Sequence, residues 1–325
     1  MPVGSKTSKK IQPSGSPEDP TSKPTPLDVG LLAALPTLSL RARYMVESFM
    51  TGRHRSPLKG TSPEFAEYRA YQPGDDLRRI DWRLYGRSDR LQTKQFEDEN
   101  QLRVELVLDV SSSMRYASRV GIFTKFDYAR TVLAAIALLA RRQHDAVGLA
   151  FVGAGRAADG GLIGFHRPGA SVQHHHDIFN QLDTPPAAQG SAIVEGLRRL
   201  ARLLSGGGLV VVASDFYADV AELESLLALF RSERLEMLGL QVLDPMEIEF
   251  GEAKSGQFVD LESGEVLPLN SRAARKGYLE RFTAHRNKLM ECFREYGADL
   301  LLMRTDEHPL DALSKYLAHR SCRTR

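Results

Sequence analysis

Cysteine is scarce: Cys292 and Cys322 are the only two in a chain of 325 residues. One lies in a helix-like segment and the other near the end of the sequence, so they make no disulfide framework. A reducing compartment is the simpler expectation. Long apolar runs are also missing. A bilayer span needs roughly 20 apolar residues, and Val132–Ala140, the longest candidate, reaches about half of that. Charge does not lean either way: 43 basic and 41 acidic residues leave +2. That balance gives no whole-chain case for nucleic acid or an anionic membrane. The residues before Leu31 are polar, the wrong layout for a secretory signal. The expectation is a cytoplasmic protein with no membrane span and no nucleic-acid partner. Tryptophan occurs once, as Trp82, and is expected to anchor its segment in a core.

What is present is ordinary for a globular protein: 42% hydrophobic and 26% charged residues, enough for one large domain or two modest ones. Three segments are expected. Residues 1–28 are rich in Lys, Ser, Pro and Thr, bury too little to offset their ordering entropy, and read as a disordered tail. Residues 29–100 begin with a helix-like stretch interrupted at Pro36 and continue through a polar, charge-dense block that should pack on the main domain. Within it, Pro73-Gly74 marks a turn, Asp75 or Asp76 suits the cap of a short helix over Leu77–Ile80, and Leu91–Phe96 alternates like a strand. That strand is expected to hairpin with Arg103–Asp109.

Residues 101–325 alternate strand and helix. Strand signals fall at Arg103–Asp109, Ala146–Val152, Leu209–Ala213, Leu235–Leu243 and Ala298–Met303. Gly161–Phe165 is expected to pair with the second of these, and Phe258–Leu267 to form a hairpin about Ser263-Gly264. Helical spacing recurs at Tyr128/Val132/Ile136/Leu139, Ile193/Leu197/Leu200/Leu204 and Val220/Leu223/Leu227/Phe230, on a long stretch from Tyr278 to Tyr296, and after Pro309. This alternation implies an α/β fold: a doubly wound, mostly parallel sheet with helices on both faces.

In such a sheet, sites form beyond the carboxyl ends of the strands. Two strands end in carboxylates, Asp109 in RVELVLDVSSSM and Asp215 in LVVVASD. Ser111 and Ser113 follow Asp109 with Asp-x-Ser-x-Ser spacing, and Ser191 stands before the helix that starts near Ile193. Asp109, Ser111, Ser113, Ser191 and Asp215 are therefore five oxygen donors on three loops that the fold would bring together. Oxygen donors without His or Cys suit Mg²⁺, with Mn²⁺ as the alternative, and not Zn²⁺. Taken singly the residues have plainer roles, Ser191 as a helix cap and Asp215 as a turn residue. An ionised Asp109 at a buried strand end needs partners in any case.

This set resembles the metal-ion-dependent adhesion site of von Willebrand factor A domains, which use Asp-x-Ser-x-Ser, then a Thr, then an Asp at a later strand end. Ser191 stands where that family usually has Thr, and Phe216 where many members have Gly after the Asp. The block GRHRSPLKG followed by EFAEYRAYQPGDDLRRIDWRLYGRSDRLQTKQFEDE resembles the bacterial domain of unknown function 58 family, as does the later DP…F.DLESGE segment. The resemblance runs from about Arg41 to the C-terminus. It implies a von Willebrand A-like domain acting as a Mg²⁺-dependent binding module, with a partner's acidic side chain completing the ion's coordination. It also implies a MoxR-type AAA+ ATPase as a partner, and an adaptor or assembly role rather than catalysis.

Other chemistries have weaker support. Asp109 could serve as the nucleophile of a metal-dependent phosphohydrolase. Ser111 occupies the place where dehalogenase-like phosphatases carry a second Asp, and no matching Lys is evident. Arginines 78, 79, 83, 87 and 90 could contact nucleic acid, but the interleaved Asp75, Asp76, Asp81 and Asp89 favour internal ion pairing. His174-His175-His176 reads as a polar loop or helix cap rather than a transition-metal site. No P-loop or Gly-x-Ser-x-Gly elbow occurs.

Overall fold

The computed structural model describes residues 29–53, 68–70, 82–88, 92–94, 102–118, 123–155, 159–186, 188, 190–204, 206–250, 256–259, 266–269 and 271–314. The elements in order are α1 (Val29–Ala34), α2 (Leu38–Arg53), β1 (Tyr68–Ala70), α3 (Trp82–Ser88), β2 (Gln92–Lys94), β3 (Arg103–Asp109), α4 (Lys125–Arg142), β4 (Ala146–Val152) and β5 (Leu162–Gly169). There follow α5 (Val172–Asp183), α6 (Ile193–Leu203), β6 (Gly208–Ser214), α7 (Val220–Ser232), β7 (Leu235–Leu243), α8 (Pro245–Glu249), β8 (Gly256–Val259), β9 (Val266–Leu269), α9 (Ser271–Glu295) and β10 (Asp299–Arg304).

The six-stranded sheet has the order β10-β7-β6-β3-β4-β5. All neighbours are parallel except β5, which runs antiparallel to β4 at one edge. Successive β3 side chains face opposite ways, as the strand pleat demands. Val104, Leu106 and Leu108 join one core cluster with α2, α4 and α5, whereas Val107 joins a second with α6, α7 and α9. A strand buried on both faces explains why RVELVLD reads as a nearly unbroken apolar run. The α/β, mostly parallel architecture with helices on both faces is as expected. Among the described residues no helix is long and apolar enough to cross a membrane.

Two expectations change. The strand within Leu91–Phe96 does not pair with Arg103–Asp109: β2 pairs antiparallel with β1. Both edges of β3 are already taken, by β4 and β6 in parallel. The three consecutive histidines lie in the first part of α5, which Ser171 caps by accepting the His174 N–H. His175 is buried and the His174 ring sits 2.7 Å from the Val147 carbonyl oxygen, so these rings pack and pair.

Helix α2 packs on the α4 face through Leu38, Ala42, Met45 and Val46, and the Arg41 guanidinium stacks 5.1 Å from the Phe123 ring centre. The expected 258–267 hairpin is present as the β8–β9 pair, with Phe258 opposite Leu267. Residues 309–314 are helical after Pro309. The tail over 1–28, the short helix over 77–80, the Ser263-Gly264 turn and the Trp82 side chain lie outside what is described.

Candidate functional site

The carboxyl end of β3 delivers Asp109 into the interior, 1% exposed. Its Oδ1 accepts the Ser111 N–H at 2.9 Å and its Oδ2 accepts the Ser214 hydroxyl at 2.6 Å. The first bond turns the chain directly after the strand, and residues Ser112–Arg115 then form a short 3-10 turn. That turn brings the Ser111 and Ser113 hydroxyl oxygens to 3.2 Å from each other. Burial, and then the negative charge of Asp215, push the Asp109 carboxyl up to about 6, against the pull of the Ser214 and Ser111 hydrogen bonds. A carboxylate raised by a neighbouring carboxylate is a place where added positive charge is favoured.

Asp215 enters from the adjoining strand β6. Its Oδ1 accepts the Tyr217 N–H at 3.3 Å, and Gln241 of β7 donates to its backbone carbonyl at 3.3 Å. Its Oδ2 meets the Lys125 ammonium at 2.9 Å. Lys125 is fully buried and also holds Glu247 Oε1 at 2.7 Å. Its ammonium lies 5.5 Å from the Tyr217 ring centre. Burial pulls the Lys125 ammonium down, but Asp215 and Glu247 outweigh it and the net shift is upward, towards the charged form. Burial raises the Glu247 carboxyl against the opposing pull of Lys125. The geometry favours an ionised triad, because Glu247 Oε2 receives a further donor, the Asp244 N–H at 2.8 Å. That contact is half of a capping box on α8; Asp244 in turn accepts the Met246 N–H and, at 3.0 Å, the Ser118 N–H. The short helix α8 thus ties Glu247 to the loop that carries the serines.

Ser191 lies at the same end of the sheet. Ala154, two residues beyond β4, forms a bridge with Gly190. The start of α6 is pressed onto the β4–β5 turn at Gly161 and Gly196, where a Cβ on either residue would overlap the other's backbone. Ala192, not Ser191, occupies the cap position of α6 and makes no side-chain cap there. The structure therefore draws Asp109, Ser111, Ser113 and Asp215 into one cluster, with Ser191 on an exposed loop at the same end of the sheet.

Three contributors were not foreseen. They are Ser214 at the end of β6, Lys125 at the start of α4 and Glu247 in α8. One signal was available: Lys125 falls on the apolar stripe of α4, in line with Tyr128, Ala129 and Val132, where a lysine requires a buried anion.

The donors fit a hard divalent cation. Two neighbouring oxygens on an octahedron with bonds of about 2.1 Å are roughly 3.0 Å apart, and the Ser111 and Ser113 hydroxyls are 3.2 Å apart. Two acidic groups lie alongside. Among the described residues, no group of three or more His, Cys, Asp or Glu side chains is arranged to hold a metal, so any ion here would rest on hydroxyls and two carboxylates.

A sheet with one antiparallel edge strand, and Asp-x-Ser-x-Ser at the carboxyl end of its central strand, define a von Willebrand A-like α/β domain. The chain belongs to the family described as "Protein of unknown function DUF58", whose model matches residues 67–288. An uncharacterized protein of Mycobacterium tuberculosis is 29% identical over 300 residues, covering 90% of this chain and 90% of that protein. Among solved structures, the conserved hypothetical protein BatB from Bacteroides thetaiotaomicron is 13% identical, covers 69% of this chain and 100% of its own, and superposes with a TM-score of 0.42. The SpRpn10 VWA domain is 11% identical, with 66% of this chain and 95% of that chain covered and a TM-score of 0.39.

Proposed function

We propose that this chain is a non-enzymatic protein-binding module whose contact with its partner depends on Mg²⁺, with Mn²⁺ as the alternative ion. The observation that carries this reading is the convergence of the Ser111 and Ser113 hydroxyls beside buried Asp109. Ser111, Ser113 and Ser191 would supply hydroxyl oxygens, and Asp109 and Asp215 negative charge. The ion's contribution is a coordination position for an acidic side chain of the partner. The chain's own part is to hold the serine loop rigid: the Asp109–Ser111 hydrogen bond and the Asp244–Ser118 tether fix it at both ends. The family resemblance points to a MoxR-type AAA+ ATPase as the partner and to assembly or maturation of other proteins as the process.

The test is binding of a purified MoxR-type ATPase from the same organism, by calorimetry, in Mg²⁺ and in EDTA. Binding should be lost in EDTA and in Asp109→Ala. Equal affinity of wild type and Asp109→Ala in both buffers would refute the metal mechanism.

The phosphohydrolase reading gains a lysine it lacked in the sequence, but Lys125 is spent on Asp215 and Glu247 and not on Asp109. A second acid at position 111 is still missing. No hydrolysis of a phosphoester panel is expected; turnover abolished by Asp109→Asn would reverse that. The arginine-rich stretch 78–90 lies largely outside the described residues, and a salt-dependent gel shift with duplex and single-stranded DNA is expected to be negative.

A further inference from the structure

The two acids beside the serines are already engaged. Asp109 Oδ1 accepts the Ser111 N–H and its Oδ2 accepts the Ser214 hydroxyl. Asp215 Oδ1 accepts the Tyr217 N–H, and its Oδ2 holds the Lys125 ammonium at 2.9 Å. Three of these four donors are neutral. The fourth is a full positive charge on a buried side chain, where salt and water screen it little. A cation held at the Ser111 and Ser113 hydroxyls would have to share the charge of Asp215 with that ammonium, and like charges drawn to one acid repel each other.

Lys125 has a second anion to turn to. Glu247 Oε1 lies 2.7 Å from the ammonium, against 2.9 Å for Asp215. Glu247 is itself held in place: its Oε2 accepts the Asp244 N–H at 2.8 Å, and Asp244 Oδ2 accepts the Ser118 N–H of the serine loop at 3.0 Å. The ammonium thus stands between an acid that belongs to the site and an acid fixed beside it. One carboxylate would balance one ammonium. With Glu247 added, the ionised triad carries one negative charge in excess, the condition for attracting a further cation rather than for excluding it.

We propose that Lys125 is a built-in competitor for the ion and that Glu247 sets how strongly it competes. The proposal rests on the metal-dependent reading of this site. With Glu247 in place the ammonium is shared, and Asp215 keeps negative charge for the ion. Without Glu247 the ammonium is left to Asp215 alone. Neither residue has to touch the ion: the pair sets its affinity by charge, from behind Asp215.

The test is Mn²⁺ titration of the full-length protein without a partner, near neutral pH, followed by calorimetry and by the electron paramagnetic resonance signal of free Mn²⁺. Asp109→Ala identifies the binding that belongs to this site. Lys125→Met should bind Mn²⁺ at least about tenfold more tightly than wild type, because a like charge close to the ion is gone. Glu247→Gln, which can still accept the Asp244 N–H, should bind at least about threefold more weakly. Opposite signs are the mark of charge competition; a merely structural role would weaken binding in both variants. Lys125→Met no tighter than wild type, or Glu247→Gln unchanged or tighter, overturns the proposal and leaves the metal reading standing. Should Lys125→Met not fold by circular dichroism, Glu247→Gln decides alone. No Mn²⁺ binding by wild type or by any folded variant, or full binding in Asp109→Ala, overturns the metal reading itself, and the proposal falls with it.

Discussion

A buried ammonium between two carboxylates is stable only while all three are present. Lys125 is such a group, with Asp215 at 2.9 Å and Glu247 at 2.7 Å. Replacing it by methionine keeps the side-chain length but leaves two acids facing each other without their cation. Breaking a buried pair from one side costs about 3–5 kcal/mol. The Glu247 side chain is 17% exposed and can recover some hydration, so Lys125→Met should lose about 3 kcal/mol, read by urea denaturation. The same change removes a unit of positive charge from beside Asp215. If the proposed ion lies there, Mg²⁺ should raise the Tm of Lys125→Met by more than that of wild type. An equal Mg²⁺ shift in both proteins would place the ion away from Asp215. Ser214 acts on the other acid. Its hydroxyl is the 2.6 Å donor to Asp109 Oδ2 and also accepts the Phe216 N–H at 3.0 Å. Ser214→Ala should cost about 1–3 kcal/mol by leaving buried Asp109 short of a donor, and a wild-type Tm in this variant would contradict the geometry.

At the scale of elements, the turn after β6 shows how a departure from the von Willebrand A pattern is accommodated. Phe216 stands where many such domains have glycine, and it keeps a left-handed backbone, φ 56°. That conformation is unfavourable for a bulky side chain, by about 1–3 kcal/mol. The compensation is packing: the phenyl ring is fully buried and meets Phe293 of α9 edge-on, with ring centres 5.6 Å apart. Removing a buried Phe side chain costs about 3–5 kcal/mol, more than the strain relieved. Phe216→Gly should therefore destabilise by about 2 kcal/mol despite restoring the residue the turn prefers; a gain in Tm would show that strain dominates. Such balances are not legible from periodicity. The strands of the large sheet were legible because β3, β6 and β7 are apolar on both faces, and α4, α6 and α7 because their stripes repeat at helical spacing. The partner of β2 was not legible: a three-residue strand in a polar block carries no pattern that names its neighbour, and β1 lies well before it in the chain.

For the molecule as a whole, the sheet has two chemically distinct ends, and the sequence showed only one. Asp109 and Asp215 announced themselves because acids that terminate apolar strands stand out. Glu105 sits in the middle of an apolar strand, two residues from the start of β3, and looks like an interruption until Gly148 is seen opposite it. Its consequence is a dependence of stability on pH. Burial raises the folded-state value of Glu105 above that of the unfolded chain, so between those two values the folded protein binds the extra proton. The sign follows: stability from this residue is fully present below the unfolded value and is lost as pH rises through the folded one. A single group gives at most about 1.4 kcal/mol per pH unit. Glu105→Gln removes the titration and keeps the shape. The stability difference between Glu105→Gln and wild type, from urea denaturation at pH 5, 6.5 and 8, should therefore grow in favour of the variant as pH increases. A difference that stays flat across this range would mean that the Glu105 carboxyl is paired in solution.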